Sequence, residues 1–337
     1  MNQTVKEKFA KIAPMISHTP LLEIKLTYKG EPRVIYAKAE YYNLSGSIKD
    51  RVAYYILKKA YEDGIIKETD KIVEATSGNT GIAFSALGSY LGHEVVIYIP
   101  DWMSMERINI MKSYGAKVRL VSREEGGFLG SIALTEELAK KGDVFLPRQF
   151  SNEDNTMSHY LTTGDEIVEQ LAALGKKADG VVAGVGTGGT IMGIGRRLRE
   201  SNPKCQVYPL EPLNSPTIST GYKVGKHRIE GISDEFVPSI LHMEEMSDVV
   251  SVDDGDAIVM AQMISKKLGV GVGISSGANL VGSIMAQNKL GKDSTIVTVF
   301  ADDNKKYLST DYTKTQPIKE GFITKDVELI DMTAYRF

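Results

Sequence analysis

Two short segments, residues 47–51 and 76–81, contain the residue types best suited to chemistry. In the first, Lys49 lies at the predicted start of a helix, where the helix dipole favours anions over cations. An amine in such a position becomes a nucleophile toward an aldehyde when its surroundings lower its pKa. Lys49 is therefore a candidate for covalent attachment of a carbonyl compound. The alternative is a surface lysine beside the capping residue Ser47.

The second segment, Thr76–Gly81, follows a predicted apolar strand and begins a predicted helix. Four of its six side chains carry a hydroxyl or an amide group. Backbone N–H groups at the start of a helix point toward a bound anion, and the polar side chains can add hydrogen bonds. This composition predicts a loop that binds a carboxylate. The alternative is a capping turn of the kind found in any βα unit.

A third polar turn, Gly186–Thr190, lies between a predicted strand and a predicted helix. Its glycines expose backbone N–H groups and its threonines add hydroxyls, so the turn can bind a phosphate without an arginine. The pattern G-x-G-x-x-G is also satisfied here, by Gly184, Gly186 and Gly189. Glu211 ends the following strand, where an acid that binds a ribose would lie. Taken alone, the turn fits either a phosphate-bearing cofactor or a dinucleotide.

The first two segments together resemble the Schiff-base lysine and the substrate-carboxylate loop of the cysteine synthase and cystathionine β-synthase family, the fold-type-II pyridoxal-phosphate enzymes. Further segments match that family in the right order across residues 18–310. These segments are His18–Leu21, Met103–Arg107, Arg148–Asn152, Glu211–Pro216, His227–Ile232 and Tyr307–Thr310. A dinucleotide enzyme would leave Lys49 and the 76–81 loop unexplained.

The resemblance implies pyridoxal 5'-phosphate as the cofactor and gives each candidate residue a role. Lys49 would carry the cofactor as an imine and, once released, remove the α-proton of the substrate. The other cofactor-binding residues would be Asn79 at the ring oxygen, Ser275 at the ring nitrogen, and Gly186, Thr187, Gly188, Gly189 and Thr190 at the phosphate. The substrate carboxylate would be bound by Thr76, Ser77, Thr80 and Gln149. Because a serine hydroxyl does not hold the ring nitrogen protonated, loss of a β-substituent is favoured over racemisation or amino transfer.

One loop departs from the biosynthetic members of that family. After Gly231 and Ile232 the chain continues with Ser233, Asp234 and Glu235, where biosynthetic cysteine synthases usually carry small neutral residues. A carboxylate that faces the substrate β-carbon would repel hydrosulfide and could activate water. The favoured reaction is therefore conversion of L-cysteine and water to L-serine and hydrogen sulfide through an aminoacrylate intermediate, with Asp234 as a catalytic residue. The alternative is that both acids lie in a solvated loop.

Four other functions stay open on the sequence. The same residues would serve an O-acetylserine sulfhydrylase that makes L-cysteine from O-acetylserine and sulfide. They would also serve an enzyme like cystathionine β-synthase that uses serine. A non-catalytic homologue that binds the cofactor and docks a partner protein is the third possibility, and the dinucleotide-dependent dehydrogenase is the fourth.

Composition excludes several classes of protein. Of the 337 residues, 42% are hydrophobic and 25% charged, and the formal net charge of -3 gives no sign of a nucleic-acid or membrane surface. The single cysteine, Cys205, excludes an internal disulfide and a multi-cysteine metal site. No apolar run is long enough to span a membrane and the N-terminus lacks a signal-peptide core, so a cytoplasmic protein is expected.

Strand-like and helix-like segments alternate, which predicts an α/β fold with parallel sheets and crossover helices. The resemblance implies two domains like those of the tryptophan synthase β subunit, each a mostly parallel twisted sheet flanked by helices, and a homodimer. A small domain is predicted at 43–155, and a large one at 12–42 plus 156–311. The extension at 312–337 is expected either to cross a partner subunit or to fray. Residues 269–277 are predicted to form a glycine-serine turn.

Overall fold

The computed structural model describes residues 1–336, which fold into eleven strands, eleven α-helices and several shorter helical turns. The strands are β1 (Leu21–Tyr28), β2 (Glu31–Ala39), β3 (Lys71–Ala75), β4 (Val95–Pro100), β5 (Lys117–Val121), β6 (Val144–Phe145), β7 (Gly180–Gly184), β8 (Gln206–Pro212), β9 (Val250–Val252), β10 (Ile296–Phe300) and β11 (Val327–Tyr335). The helices are α1 (Gln3–Ile12), α2 (Lys49–Glu62), α3 (Asn79–Leu91), α4 (Met105–Ser113), α5 (Gly127–Ala139), α6 (Asp154–Ser158), α7 (Asp165–Ala173), α8 (Gly189–Ser201), α9 (Thr217–Thr220), α10 (Asp254–Leu268) and α11 (Ile274–Leu290). A π-helical segment, His159–Gly164, joins α6 to α7.

The strands form two separate sheets. One has four strands in the order β5-β4-β3-β6, and all its neighbours are parallel. The other has seven strands in the order β11-β1-β2-β10-β7-β8-β9. Its pairs are parallel from β2 to β9, and β1 runs antiparallel to both of its neighbours. The predicted α/β fold with two mostly parallel sheets is confirmed.

The central strands of the seven-stranded sheet are buried on both faces. In β10, Ile296 and Phe300 belong to one apolar cluster, while Val297 and Val299 belong to another. Successive side chains of a strand point to opposite faces, so a strand covered on both sides reads as a continuous apolar run. A third cluster fills the core around the four-stranded sheet. Each sheet therefore has its own core, and the cleft between them is free to be polar.

The elements predicted around the candidate residues agree closely with the structure. The strand expected at Lys71–Ala75 has those bounds, and the helix expected after Lys49 runs from Lys49 to Glu62. The turn predicted at 269–277 is wrong in its second half, because α11 begins at Ile274. A Cβ atom on Gly277 would lie 2.1 Å from the carbonyl oxygen of Ala257 in α10. The glycine permits close helix packing there and does not make the segment flexible.

The C-terminal segment is ordered against its own chain. β11 pairs antiparallel with β1 along its length, and its Val327 and Leu329 are buried in the core of the large sheet. The expectation that this extension frays is therefore wrong. The strands at 71–145 fall inside the predicted small domain, while the domain boundaries themselves stay a prediction. Among the described residues, no helix is long and apolar enough to cross a membrane.

Candidate active site

One narrow cleft at the carboxyl ends of β3 and β7 gathers most of the predicted site residues. The carboxyl ends of parallel strands are where α/β proteins bind ligands, because the loops that follow them meet there. The residues lining this cleft are Lys49, Thr76, Ser77, Gly78, Asn79, Thr80, Arg107, Gln149, Phe150, Gly186, Thr187, Gly231 and Asp234. Four predicted residues, Gly188, Gly189, Thr190 and Ser275, lie outside this lining.

Lys49 is the first residue of α2 and lies in the wall of the cleft. Its backbone N–H donates to the hydroxyl of Ser47 at 3.3 Å, so the serine contacts the start of the helix as the sequence suggested. Burial lowers the pKa of the Lys49 amine to about 8, and the carboxylate of Asp234 acts in the opposite direction. An amine with this pKa is partly unprotonated near neutral pH, which a nucleophile toward an aldehyde requires.

The 76–81 loop is shaped by close contacts. A Cβ atom on Gly78 would lie 2.5 Å from Cδ of Arg107, so only glycine fits against that side chain without a shift. The hydroxyl of Thr80 donates to Oε1 of Gln149 at 2.6 Å, and Nε2 of Gln149 donates to the Ala75 carbonyl at 2.8 Å. The structure therefore joins the four predicted carboxylate-binding residues, Thr76, Ser77, Thr80 and Gln149, in one wall.

Asn79 presents an unsatisfied polar atom. Its Nδ2 donates to Asp302 at 2.8 Å, and the same carboxylate oxygen accepts from the hydroxyl of Tyr307 at 2.7 Å. The Oδ1 atom of Asn79 is buried without a hydrogen-bond partner among the described residues. Buried polar atoms are rarely left unpaired, so an orphaned amide oxygen in this cleft fits contact with a polar ligand group.

The turn Gly186–Thr190 forms a cradle at the start of α8. Gly188 has a φ of +91°, a left-handed conformation that glycine adopts at little cost. A Cβ atom on Gly186 would lie 2.6 Å from the Gly231 carbonyl, and one on Gly189 would lie 2.2 Å from Oδ1 of Asn155. The glycines thus allow the backbone amides to converge at a helix N-terminus, which is a good site for the phosphate of the predicted cofactor.

Ser275 lies in the first turn of α11, and it is buried. Ile274 beside it lines a wider cavity of about 750 Å³, which shares Ser77, Gly231 and Asp234 with the narrow cleft. Ser275 is therefore close to the mouth of the candidate site, although it does not line the narrow part. Its predicted contact with a ring nitrogen stays a prediction.

Asp234 and Glu235 have different surroundings. Asp234 lines the cleft together with Lys49, whereas Glu235 forms an ion pair with Lys223 at 3.3 Å. Burial raises the pKa of Asp234 to about 6; Glu235 adds to the rise, and Lys223 and Lys49 oppose it. The alternative that both acids lie in a solvated loop therefore fits Glu235 better than it fits Asp234, which lines the narrow cleft.

The preceding residue explains how Asp234 is directed. Ser233 has a φ of +55°, which a non-glycine residue adopts only when its surroundings require it. Its N–H donates to the Val185 carbonyl at 2.7 Å, and its hydroxyl contacts the Ser215 carbonyl at 3.2 Å and the Thr217 hydroxyl at 3.0 Å. Strained backbone held by several hydrogen bonds is typical of functional loops.

Three residues of the site received no role from the sequence. Arg107 is buried behind Gly78, pairs with Glu230 and lies over the Tyr307 ring at 4.8 Å. Phe150 lines the cleft, and Glu74 is buried below Gln149. Arg107 and Phe150 lie in segments that match the family pattern, which was the available signal. Nothing local marks Glu74.

The dinucleotide alternative finds no support at Glu211. Its carboxylate is fully buried and accepts hydrogen bonds from the backbone of Ile218, from the backbone and hydroxyl of Ser219, and from Ser251. A carboxylate with these partners stabilises the turn after β8 and is not directed at a ribose.

Comparisons with known proteins point the same way as the geometry. Residues 12–302 match the family described as pyridoxal-phosphate dependent enzyme. The chain is 38% identical to a cysteine synthase of Staphylococcus aureus over 299 residues, which are 89% of this chain and 95% of that protein.

Among solved structures, the chain is similar to a hydrogen sulfide-producing enzyme from Fusobacterium nucleatum, with 59% identity and a TM-score of 0.96 over 98% of this chain and 100% of that one. An aspartate-to-asparagine mutant of that enzyme, complexed with an α-aminoacrylate intermediate, gives a TM-score of 0.97. A cysteine synthase from Entamoeba histolytica gives 35% identity and a TM-score of 0.83 over 91% of each chain.

Proposed function

Because the chain belongs to the pyridoxal-phosphate dependent enzyme family as a cysteine synthase-type member, we propose that it converts L-cysteine and water to L-serine and hydrogen sulfide. The observation that carries this proposal is the carboxylate of Asp234 in the same cleft as Lys49. The similarity to a hydrogen sulfide-producing enzyme at 59% identity supports it.

Pyridoxal phosphate, when bound, supplies an electron sink that makes the α-proton and the β-substituent of an amino acid easier to lose. Lys49 would hold the cofactor and then take the α-proton on Nζ. Its pKa of about 8 supports both roles, because the amine can accept and return a proton near neutral pH. Asn79 and the Gly186–Thr190 turn would hold the ring and the phosphate.

The carboxylate of the amino acid would be bound by the 76–81 loop and Gln149. Thr80 and Gln149 contact each other in one wall of the cleft, so one ligand carboxylate can reach both. Binding of the carboxylate there would hold the α-carbon opposite Lys49 and would leave the β-carbon facing the loop that carries Asp234. Orientation of this kind converts a bimolecular encounter into an effectively intramolecular step.

Asp234 would act on water. In the replacement step, the bond from the β-carbon to sulfur breaks and hydrosulfide leaves; a water oxygen then bonds to that carbon while the water gives a proton to Asp234. The carboxylate form is needed for this, and a pKa of about 6 keeps most of it ionised at neutral pH. The same negative charge repels returning hydrosulfide, which favours the hydrolytic direction.

A second candidate is synthesis of L-cysteine from O-acetylserine and sulfide, which the 38% identity to a cysteine synthase favours. It uses Lys49 and the two ligand loops in the same way and gives no role to Asp234. Serine-using cystathionine synthesis is a further variant of the same chemistry. The homodimer expected from the family stays a prediction.

The test is to supply the holoenzyme with L-cysteine alone and to measure sulfide and serine. In water labelled with oxygen-18, we expect the label in the serine hydroxyl. Activity should rise with pH through about 6 as Asp234 loses its proton. Asp234→Asn should lower sulfide release by about a hundredfold or more, since positioned general bases contribute factors of that order.

Glu235→Gln is the matched control, because Glu235 pairs with Lys223 and does not line the narrow cleft. It removes a charge that raises the pKa of Asp234, so Asp234 stays ionised at neutral pH and activity should be retained. Absence of sulfide from cysteine, combined with cysteine formation from O-acetylserine and sulfide, would contradict the proposal and favour the second candidate. An unlabelled serine product would remove the role given to water.

A further inference from the structure

The segment that leads from α6 into the π-helix packs very closely against α8. A Cβ atom on Gly193 of α8 would lie 2.4 Å from the Thr156 carbonyl and 2.7 Å from Cβ of His159. On the other side, a Cβ atom on Gly164 would lie 2.7 Å from Cβ of Arg197. Glycines at both contacts allow the two backbones to approach closely. The segment also contains the π-helical turn, a feature that is frequent at functional sites.

Two side chains of this segment reach the two hydroxyls of the phosphate turn. Nδ2 of Asn155 donates to Oγ1 of Thr187 at 2.8 Å, and Nε2 of His159 lies 3.2 Å from Oγ1 of Thr190. Asn155 and His159 are four residues apart and both are fully buried. Residues at this spacing lie on one side of a helix, so one short segment contacts both threonines.

The hydrogen-bond directions follow from what the partners can do. Asn155 uses its other N–H for the Gln149 carbonyl at 2.9 Å, so Thr187 is an acceptor toward it. No described residue accepts the hydroxyl proton of Thr187, which leaves that proton available for a ligand. A phosphate is an acceptor only, and it therefore needs hydroxyls whose protons are not already committed.

His159 completes the same arrangement at Thr190. Burial holds the pKa of His159 well below its usual range, with Lys49 and Arg51 acting in the same direction, so the ring is neutral. A neutral imidazole has one donor and one acceptor nitrogen. The Nδ1 atom lies 3.0 Å from the hydroxyl of Thr163, and that hydroxyl can donate to it. Nε2–H is then the donor to Thr190.

We propose that Asn155 and His159 are positioning residues, which make Thr187 and Thr190 accept hydrogen bonds from the protein so that both hydroxyls donate to the cofactor phosphate. The chain Thr163–His159–Thr190 would run in one direction and end at the phosphate. This proposal rests on the phosphate role given to the Gly186–Thr190 turn. It is independent of whether water or sulfide is the nucleophile.

The proposal is tested with two substitutions of the histidine. In His159→Gln the amide nitrogen reaches the place of Nε2 and keeps a donor for Thr190. In His159→Asn the shorter amide ends near Nδ1 and loses that contact. The full-length enzyme is depleted of cofactor, and the dissociation constants of pyridoxal 5'-phosphate and of pyridoxal, which lacks the phosphate, are measured by titration.

We expect His159→Asn to weaken the binding of pyridoxal 5'-phosphate by about tenfold or more, which is the usual scale for a hydrogen bond to a charged group. The affinity for pyridoxal should not change. His159→Gln should restore most of the affinity. In the loaded enzyme, the phosphorus-31 resonance of the bound phosphate should shift in the asparagine variant and not in the glutamine variant. Asn155→Asp should lower the affinity for pyridoxal 5'-phosphate more than His159→Asn does, because the new carboxylate accepts the hydroxyl proton of Thr187.

Tyr160→Phe is the control, since it removes a contact with Glu200 from the same segment without touching the turn. If His159→Asn weakened the binding of both ligands equally, or if both histidine variants lost the same affinity for pyridoxal 5'-phosphate, His159 would only support the fold. Either result would overturn the proposal. An unchanged affinity for pyridoxal 5'-phosphate would do the same. These readouts do not involve L-cysteine, so they fail or succeed separately from the proposed reaction.

Discussion

Lys38 is fully buried and Lys49 is half-buried, and the partners of the two amines differ. Lys38 on β2 is fully buried, and its Nζ contacts the Thr19 carbonyl at 2.5 Å and Glu166 at 2.6 Å. Lys49 lies in the cleft, and no described residue forms an ion pair or a hydrogen bond with its Nζ. Burial lowers the pKa of both amines; Glu166 and Glu40 oppose the shift at Lys38, and Asp234 alone opposes it at Lys49.

The same contrast occurs within a single turn of α2. Arg51, two residues after Lys49, is fully buried, and its guanidinium forms ion pairs with Glu40 at 2.7 Å and Glu166 at 2.6 Å. A buried charge with complete partners holds elements together, whereas a charge without partners remains able to change its protonation. The paired region stabilises the fold, and the unpaired one is available for chemistry.

The largest effect is expected at the unpaired lysine. Lys49→Ala should lower turnover by at least about a thousandfold, because nucleophile and base are both removed. The unfolding temperature of the cofactor-free protein should hardly change, since no ion pair is lost. Lys49→Arg keeps a cation and should be equally inactive, because a guanidinium is neither a useful nucleophile nor a base at neutral pH. Full turnover of either variant would contradict the role of Lys49.

In the paired region the effect should fall on stability. Glu166→Gln removes a carboxylate from both Lys38 and Arg51, and breaking a buried pair costs on the order of 3 kcal/mol of unfolding free energy. Glu169→Gln, an exposed site on the same helix, is the matched control and should have no effect. Chemical denaturation measures both. Equal stability of the two variants would mean that the network contributes nothing.

The pH dependence of this effect has a definite sign. Burial alone would raise the pKa of Glu166, but Arg51 and Lys38 lower it to about 2. A depressed carboxyl pKa gives stability that is present above the unfolded value of about 4.5 and is lost as pH falls toward 2. The destabilisation by Glu166→Gln should therefore shrink as the pH is lowered through that window.

Glu74 is the opposite case, a buried acid without a cation. It accepts from the backbone N–H groups of Ala75 at 2.8 Å and Gln149 at 3.3 Å, and burial raises its pKa to about 8. A raised carboxyl pKa gives stability that is complete below about 4.5 and is lost as pH rises to about 8. The neutral Glu74→Gln lacks this loss, so its unfolding temperature relative to wild type should increase from pH 5 to pH 8.5.

Thermal unfolding at a series of pH values measures this difference. Glu136→Gln is a suitable control, since that acid lies nearby but is paired with Arg148 at the surface. A difference between Glu74→Gln and wild type that stays constant with pH would mean that Glu74 does not titrate in this range.

The smallest effect concerns the loop before Asp234. Ser233→Ala keeps the strained φ of +55° and loses the hydroxyl contacts, whereas Ser233→Gly loses the contacts but relieves the strain. Ser233→Gly should therefore be the more stable of the two by about 1 kcal/mol. Sulfide release should fall more in the glycine variant, because Asp234 is then less firmly directed. The reverse order of stabilities would show that the backbone is not strained.

Short-range patterns predicted much of the candidate site. Lys49 at a helix start, and the turns at 76–81 and 186–190, are each a run of neighbouring residues whose types carry their own geometric meaning. Their match to a family pattern in the right order predicted the fold class and the cofactor. The polar turn expected at Ser275 was wrong because a glycine-rich segment can also form a closely packed helix.

Single residues far apart in the chain were beyond such patterns. Asn155 and His159 become candidates only because glycines in α8 let their segment approach the Gly186–Thr190 turn. Glu74 looks like any strand residue until its burial is known. The C-terminal strand was also missed, since its partner β1 lies some three hundred residues earlier and no local signal connects them.

By itself, the sequence determined the α/β class and the family, and it predicted the candidate lysine and the two polar turns, because those features depend on the order of neighbouring residues. Only the tertiary structure decided which buried charges are paired, which of Asp234 and Glu235 lines the narrow cleft, and which side chains contact the Gly186–Thr190 turn. The physical reason is that ionisation and hydrogen-bond direction depend on distant groups within a few ångströms, and the fold alone brings those groups together.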